Sequence, residues 1–309
     1  MIDDVSFGVL QFPSLKMIYK FLVMRLDPSC LIKTIFLSEK RKNVLILLLR
    51  EGPKNIDEIK EALDVSSSAL MPQIKKLLKW DLLTYDPNGD TYNLSDMGAL
   101  IVEKIEEFLN IINVYVENHE YWESRDLSEI PYHMRKRIGN LKHCELLEAD
   151  RDCLFEFHPD FVENILKSKY IMMTSSTFQP QTVSLFSKLL AKDVKIALVL
   201  TEQIFYRFLD DYHEQFNGFL SHENMSISIR KGHIGPLTLV VTDTFMALWL
   251  FDRNGRFDGM TLISHENSAI KWGRELFTYY SSISNLVYID PDTGKMEVTG
   301  YNITKANKF

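Results

Sequence analysis

The sequence predicts an α+β protein: a helical N-terminal part ending in a short β-hairpin, a long connecting helix, and a C-terminal α/β part with a mixed sheet. Three observations carry this. Apolar residues recur at helical spacing from Ser38 to Trp80 and give way to two β-prone runs around Asn88-Gly89. A helical period then persists from Ser95 to His119 without a break. From Tyr170 onward, β-rich runs first alternate with helical ones and then follow one another directly.

The bounds agree with two folded parts. A chain of 309 residues, 46% hydrophobic and 25% charged, is long enough for two cores at about 150 residues per domain. The formal charge of −7 excludes a generally basic nucleic-acid coat, so any such binding has to come from locally placed lysines. Cys30, Cys144 and Cys153 form no CxxC pair and are odd in number, which points away from a secreted disulfide framework and toward the cytoplasm. No apolar run reaches the ~18 residues of a membrane span. Asp3 and Asp4 precede Val5–Leu10, unlike the positive start of a signal peptide, and residues 1–29 read as an extension, with Met17 and Met24 as alternative starts.

Taken in order, Ser38 caps a helix that runs to about Arg50 and is ended by Gly52-Pro53. Lys40, Arg41 and Lys42 near its start are either phosphate contacts or a solvated surface. Asn55 and Glu58 form a capping-box pattern ahead of Ile56, Ile59, Ala62 and Leu63. After the turn at Asp64-Val65-Ser66, Leu70, Ile74, Leu77 and Leu78 share one face of a second helix. Its opposite face carries Ser68, Pro72, Lys75, Lys76 and Lys79. Hydroxyls at a helix start and lysines further along suit phosphate and base-edge contacts. The least strained placement of Pro72 starts the helix at Ser68, with the proline near the first turn. Leu82–Tyr85 and Thr91–Leu94 then make a wing around residues 86–90, so residues 30–95 read as a winged helix-turn-helix.

The helix of residues 95–119 has a broad apolar face including Ile101, Val102, Ile105, Phe108, Ile112 and Tyr115. Pairing with a second copy and packing against the chain's own C-terminal part both account for it. Residues 96–155 are therefore assigned to a dimerisation or linker segment, 156–285 to an effector domain, and 286–309 to a tail with a hairpin near Asp292-Thr293-Gly294.

Several segments resemble a known family: Ser38-Glu39-Lys40-Arg41, Gly52-Pro53, Ser67 through Leu77, and Tyr92-Asn93-Leu94-Ser95. They look like ArsR-like winged-helix transcriptional regulators of methanogenic archaea. Phe157-His158-Pro159, Thr174-Ser175-Ser176, Val241-Thr242-Asp243-Thr244 and Trp272 through Phe277 resemble the domain named after the methanogenesis regulatory protein of methanogens. The resemblance covers residues 30–285 and implies a dimeric transcription factor whose C-terminal domain senses a signal. Two departures stand out. The paired-cysteine motif of metal-sensing ArsR relatives is missing from residues 55–79, and the wing has Asp86 and Asp90 but no Lys or Arg.

The expected DNA contacts are Ser67, Ser68, Gln73, Lys75, Lys76 and Lys79 on the recognition helix and Asn88 and Gly89 on the wing. The partners are double-stranded operator DNA, a second copy of the chain and a small-molecule effector. An effector would sit beyond the carboxyl ends of the strands, among Ser175, Ser176, Thr177, Arg207, Arg230, His233 and Trp249. No cofactor or resident metal is expected, since Cys144-x8-Cys153-x4-His158 matches no common zinc spacing. Nor is catalysis. A degenerate half of the phospholipase D fold is an alternative for the C-terminal part, but His233 is followed by Ile234-Gly235 and lacks the lysine that chemistry needs. G-x-S-x-G, H-E-x-x-H and P-loop motifs are absent. The rival functional reading is a protein-interaction or ligand-sensing module whose winged helix does not bind DNA.

Overall fold

The computed structural model describes residues 27–128, 130–148, 158–290 and 292–299. The expected N-terminal extension up to residue 26, Cys153, Phe157 and the end of the tail lie outside these residues. The chain divides into two compact units between Glu106 and Glu107.

The first unit starts with a helix the periodicity did not reveal, α1 (Pro28–Phe36). Asp27 caps it by accepting from Ser29 N at 2.9 Å, Pro28 supplies the preset φ of a first helical position, and Ile35 is buried. Helix α2 (Glu39–Glu51) is capped by Ser38 and closed by Gly52 at φ 78, a conformation that favours glycine. Helix α3 (Ile56–Leu63) has the full capping box: Asn55 accepts from the Asp57 and Glu58 amides at 2.9 Å, and Glu58 accepts from Asn55 N at 2.7 Å. Helix α4 (Ser67–Lys79) follows Ser66, and strands β1 (Leu83–Asp86) and β2 (Thr91–Leu94) pair antiparallel. A bridge between Lys54 and Tyr92 fastens the root of this hairpin to the segment before α3. Val44, Leu45, Leu48, Ile59, Leu70, Ile74 and Leu77 form the core.

Helix α5 runs unbroken from Asp96 to Glu117. Ser95 fixes its start by accepting from Gly98 N at 2.9 Å and donating to Asp81 O at 2.6 Å. A Cβ on Gly98 would lie 2.2 Å from the Leu82 carbonyl oxygen. On an open helix, Gly→Ala stabilises by up to about 1 kcal/mol. Here the overlap with backbone reverses the sign, and Gly98→Ala should destabilise the first unit by about 2–3 kcal/mol, read as a lower urea midpoint.

The second unit contains helices α6 (His119–Ser124) and α7 (Tyr132–Arg135), a 3-10 turn at Ile138–Leu141, and strand β3 (Glu145–Glu148). Then come α8 (Pro159–Leu166), β4 (Tyr170–Ser175), α9 (Gln181–Leu190), β5 (Lys195–Thr201), α10 (Glu202–Asp211), α11 (His213–Leu220) and β6 (Met225–Arg230). Strands β7 (Thr238–Thr242), β8 (Met246–Trp249) and β9 (Met260–Ser264) follow, then α12 (Asn267–Ser282), β10 (Asn285–Ile289) and β11 (Met296–Val298). The nine strands form one mixed sheet in the order β11-β10-β6-β5-β4-β7-β8-β9-β3. Strands β4, β5 and β6 are parallel, and the remaining pairs are antiparallel.

Side chains alternate between the two faces, as strand geometry requires. Ile171, Met173, Ile196, Leu198, Ile227 and Val240 join the core under α8–α11, whereas Val199, Leu239, Val241 and Leu248 join the core that includes Trp272, Leu276 and Phe277 of α12. Trp272 is fully buried and its indole donates to Met134 O at 3.0 Å, so it is a packing residue. Beside it, Gly273 lets α12 lie close to the sheet, since a Cβ there would stand 2.7 Å from Met246 Cγ. The expected tail hairpin is β10–β11, but it belongs to the sheet: β10 pairs with β6, and the domain therefore extends past residue 285. Strand β3 and helices α8 and α11 were not foreseen.

Candidate nucleic-acid interface

Leu70, Ile74 and Leu77 pin one face of α4 into the first unit's core. The 3.6-residue period then turns Ser68, Pro72, Lys75, Lys76 and Lys79 to solvent, and all five are exposed. Ser67 is exposed at the helix start, beside this strip. None of the three lysines has an ion-pair partner among the described residues. Three ammonium groups therefore share one exposed helix face.

Pro72 corrects the expected placement. Helix α4 begins at Ser67, which puts Pro72 in the second turn, inside the helix. Its missing N–H leaves the Ser68 carbonyl without its helical donor on the exposed face.

Gln73 and Arg41 belong together. The Arg41 guanidinium is buried: its Nε donates to Thr34 O, and its Nη1 donates to Gln73 Oε1 at 2.6 Å. Arg41 is therefore a tie between α1, α2 and α4 rather than a phosphate contact, and the Gln73 oxygen is held by it. Lys42 is paired with Glu39 at 2.6 Å. The helical spacing of Arg41 with Val44, Leu45 and Leu48 separates it from Lys40 and Lys42 and was the available signal that it faces inward, although it does not name the acceptors.

At the wing tip, residues 87–90 connect the paired Asp86 and Thr91. Asp86 accepts from Asn88 N at 2.9 Å, Tyr85 donates to Asp90 at 2.6 Å, and Asp90 rather than Gly89 takes the left-handed conformation, φ 49. Asn88 and Gly89 are exposed between two carboxylates. The Asp90 carboxylate raises the pKa of the Tyr85 hydroxyl by accepting its hydrogen bond.

The residues expected around an effector are distributed unevenly. Ser175 and Thr177 hydroxyls approach each other and Thr238 at 3.2–3.4 Å, and Ser176 donates to Pro236 O at 3.0 Å. These hydroxyls knit the end of β4 to the start of β7 and the segment before it. Trp249 is core, edge-on to Phe161 at 5.3 Å. Arg207 lies over the Phe178 ring at 4.2 Å, and Arg230 donates to Ile283 O at 2.9 Å while its Nε is buried without a partner. His233 is exposed in the loop between β6 and β7. A groove of about 490 Å³ opens at the opposite end, where β4, β5 and β6 begin, lined by Tyr170, Met172, Lys195, Ala197, Asn224 and Ser226.

Two further centres concern chemistry. Burial pushes the Cys144 thiol up to about 12, which keeps it protonated at neutral pH and a poor nucleophile. Among the described residues, no group of three His, Cys, Asp or Glu side chains is placed to hold a metal. Arg125, which no motif marked, is buried, pairs with Asp258 and lies 4.0 Å over the Tyr121 ring.

With this geometry in place, two sequence matches are informative. Residues 29–113 match the N-terminal domain of the methanogenesis regulatory protein FilR1, and residues 154–283 match its middle domain. The chain carries the N-terminal and middle domains of the FilR1 methanogenesis regulatory protein family. The FilR1 protein of Methanothrix harundinacea is 24% identical over 255 residues, spanning 81% of this chain and 56% of that protein. The HTH-type transcriptional activator ArnR of Sulfolobus acidocaldarius is 33% identical over 78 residues, 25% of this chain and 29% of its own. This FilR1-family chain thus spans about half the length of its FilR1 relative and matches less than a third of ArnR. Among solved structures, TrmBL2, an archaeal chromatin protein, aligns at TM-score 0.39 and 11% identity over 80% of this chain and 93% of its own. An IclR-type regulator from Alicyclobacillus acidocaldarius aligns at TM-score 0.22 and 14% identity over 79% and 94%. The FilR1 matches name the family without singling out an ArsR-like subgroup. No helix among the described residues is long and apolar enough to cross a membrane.

Proposed function

We propose that this FilR1-family chain is a sequence-specific, DNA-binding transcriptional regulator that works as a cytoplasmic homodimer, with α4 in the major groove. The observation that carries the reading is the division of α4 into a buried face of Leu70, Ile74 and Leu77 and an exposed face of Ser68, Lys75, Lys76 and Lys79. Ser67 and Ser68 supply hydroxyls at the helix start, where free amides favour a phosphate. Gln73 contributes its amide edge from the flank, and Asn88 and Gly89 touch the backbone weakly from an acidic wing. Within winged-helix regulators, the three-helix core and hairpin support an ArsR-like type that lacks the cysteine pair for metal sensing. The regulatory names of FilR1 and ArnR point the same way, as does the absence of a catalytic motif. The second unit is the effector domain, and Arg207, Arg230 and His233 are the polar groups of its expected site least absorbed by internal hydroxyl bonds.

One observation favours the rival reading of a protein-interaction module: Asp86 and Asp90 flank the wing tip with no cation between them. Fluorescence anisotropy with duplexes from the gene's own upstream region and with random DNA, each at two salt concentrations, separates the two. Preference for the upstream duplex is the expected result. Salt-sensitive binding without preference would remove sequence specificity, and no binding by the folded protein at either salt would favour the interaction module.

A further inference from the structure

The polar tie between α2 and α4 sets which atom of Gln73 stays free. Arg41 Nη1 donates to Gln73 Oε1 at 2.6 Å, and the Ser38 hydroxyl donates more weakly to the same oxygen at 3.5 Å, so both of its lone pairs are engaged. A guanidinium has no acceptor, so the amide cannot be turned round: the atom facing Arg41 has to be the oxygen. Arg41 is itself fixed, because it is buried and its Nε donates to Thr34 O. The Gln73 amide nitrogen has no partner among the described residues, and the side chain is only partly buried. At about 100° per residue, Gln73 lies about 60° from Lys76, at the edge of the exposed strip of α4.

A glutamine free at both ends of its amide reads adenine, the oxygen accepting from N6 and the nitrogen donating to N7. Gln73 has its oxygen committed to Arg41. We infer that Gln73 is a donor-only contact that selects guanine, whose major-groove edge presents two acceptors, O6 and N7, and no donor. Adenine sets its N6 donor against the amide N–H groups, cytosine offers only the N4 donor, and thymine has a single acceptor beside a methyl group. Arg41 is then a positioning residue: without touching DNA, it fixes the polarity of the side chain that does. This selectivity rests on the placement of α4 in the major groove proposed above, and it names the base that one side chain of that helix reads.

Gln73→Glu separates this role from a structural one. The substitution is isosteric and keeps an acceptor for Arg41, now as an ion pair, so the urea midpoint should not fall. Its outer atom becomes an acceptor instead of a donor, which inverts the base edge it can read. Selection of the full wild-type and variant chains on one pool of randomised duplexes gives the readout. The wild type should enrich guanine at one position of its site. Gln73→Glu should replace it there with cytosine, whose N4 amino group donates to a carboxylate, a reversal of about tenfold or more. Repulsion between the added charge and the phosphates weakens every duplex alike and leaves the preference untouched. A folded Arg41→Met chain, which frees the Gln73 oxygen, should accept adenine at the same position, and continued exclusion of adenine would count against the inference. The same preference in the wild type and Gln73→Glu, whatever the loss of affinity, would overturn it and leave the sequence-specific regulator intact. So would adenine, rather than guanine, at the wild-type position that Gln73→Glu alters. A wild type that binds with no sequence preference would overturn both.

Discussion

Replacing Lys75, Lys76 and Lys79 together by alanine should flatten the salt dependence of DNA binding. Each lysine that neutralises a phosphate releases condensed counterions, and losing one lowers the log–log slope by about 0.9 on a single half-site, so the triple variant loses roughly 2.7. Near 0.1 M salt this corresponds to roughly 500-fold weaker binding. Lys75→Ala or Lys79→Ala alone should reduce the slope by about one unit. Because all three side chains are exposed and lie opposite Leu70, Ile74 and Leu77, the variants should unfold at the same urea concentration as the parent. An unchanged slope in a folded triple variant would take α4 out of the interface.

Trp272→Ala should have the largest effect on stability. The side chain is fully buried between α7 and the sheet, so truncation removes its transfer free energy, leaves a cavity and strands the Met134 carbonyl. The expected loss is about 3–5 kcal/mol in the second unit. Trp272→Phe retains most of the volume and lacks the indole N–H, and it should lose about 1–2 kcal/mol. Urea unfolding followed by far-UV circular dichroism, which does not depend on the indole as a reporter, checks both values. A Trp272→Ala variant as stable as Trp272→Phe would show that the site collapses around the smaller side chain. Both substitutions should leave the DNA-binding slope unaltered, because the lysine strip belongs to the first unit.

The elements that were legible are those with a local cause. The capping box at Asn55 and Glu58, the helix stop at Gly52, the parallel strands β4–β6 and the alternation of α9 and α10 with them each follow from neighbours in sequence. The elements that were missed lack such a signal. Helix α1 has only nine residues and buries only Ile35, so its period spans too few turns to stand out. Strand β3 is a four-residue edge strand of mixed polarity, and it is a strand because β9 offers it a ladder.

Site residues divide along the same line. Sequence period by itself determined that Leu70, Ile74 and Leu77 face inward and that Ser68, Lys75, Lys76 and Lys79 face out, since a helix maps spacing onto direction. Only the tertiary structure decided that Arg41 is a buried tie to Gln73 and Thr34, because guanidinium donors reach whichever acceptors other helices bring near. It also decided that Ser175 and Thr177 bond to the start of β7 and Ser176 to the segment before it, some sixty residues away. Periodicity records which side of an element is apolar. What meets that side depends on long-range pairing, which no local pattern encodes.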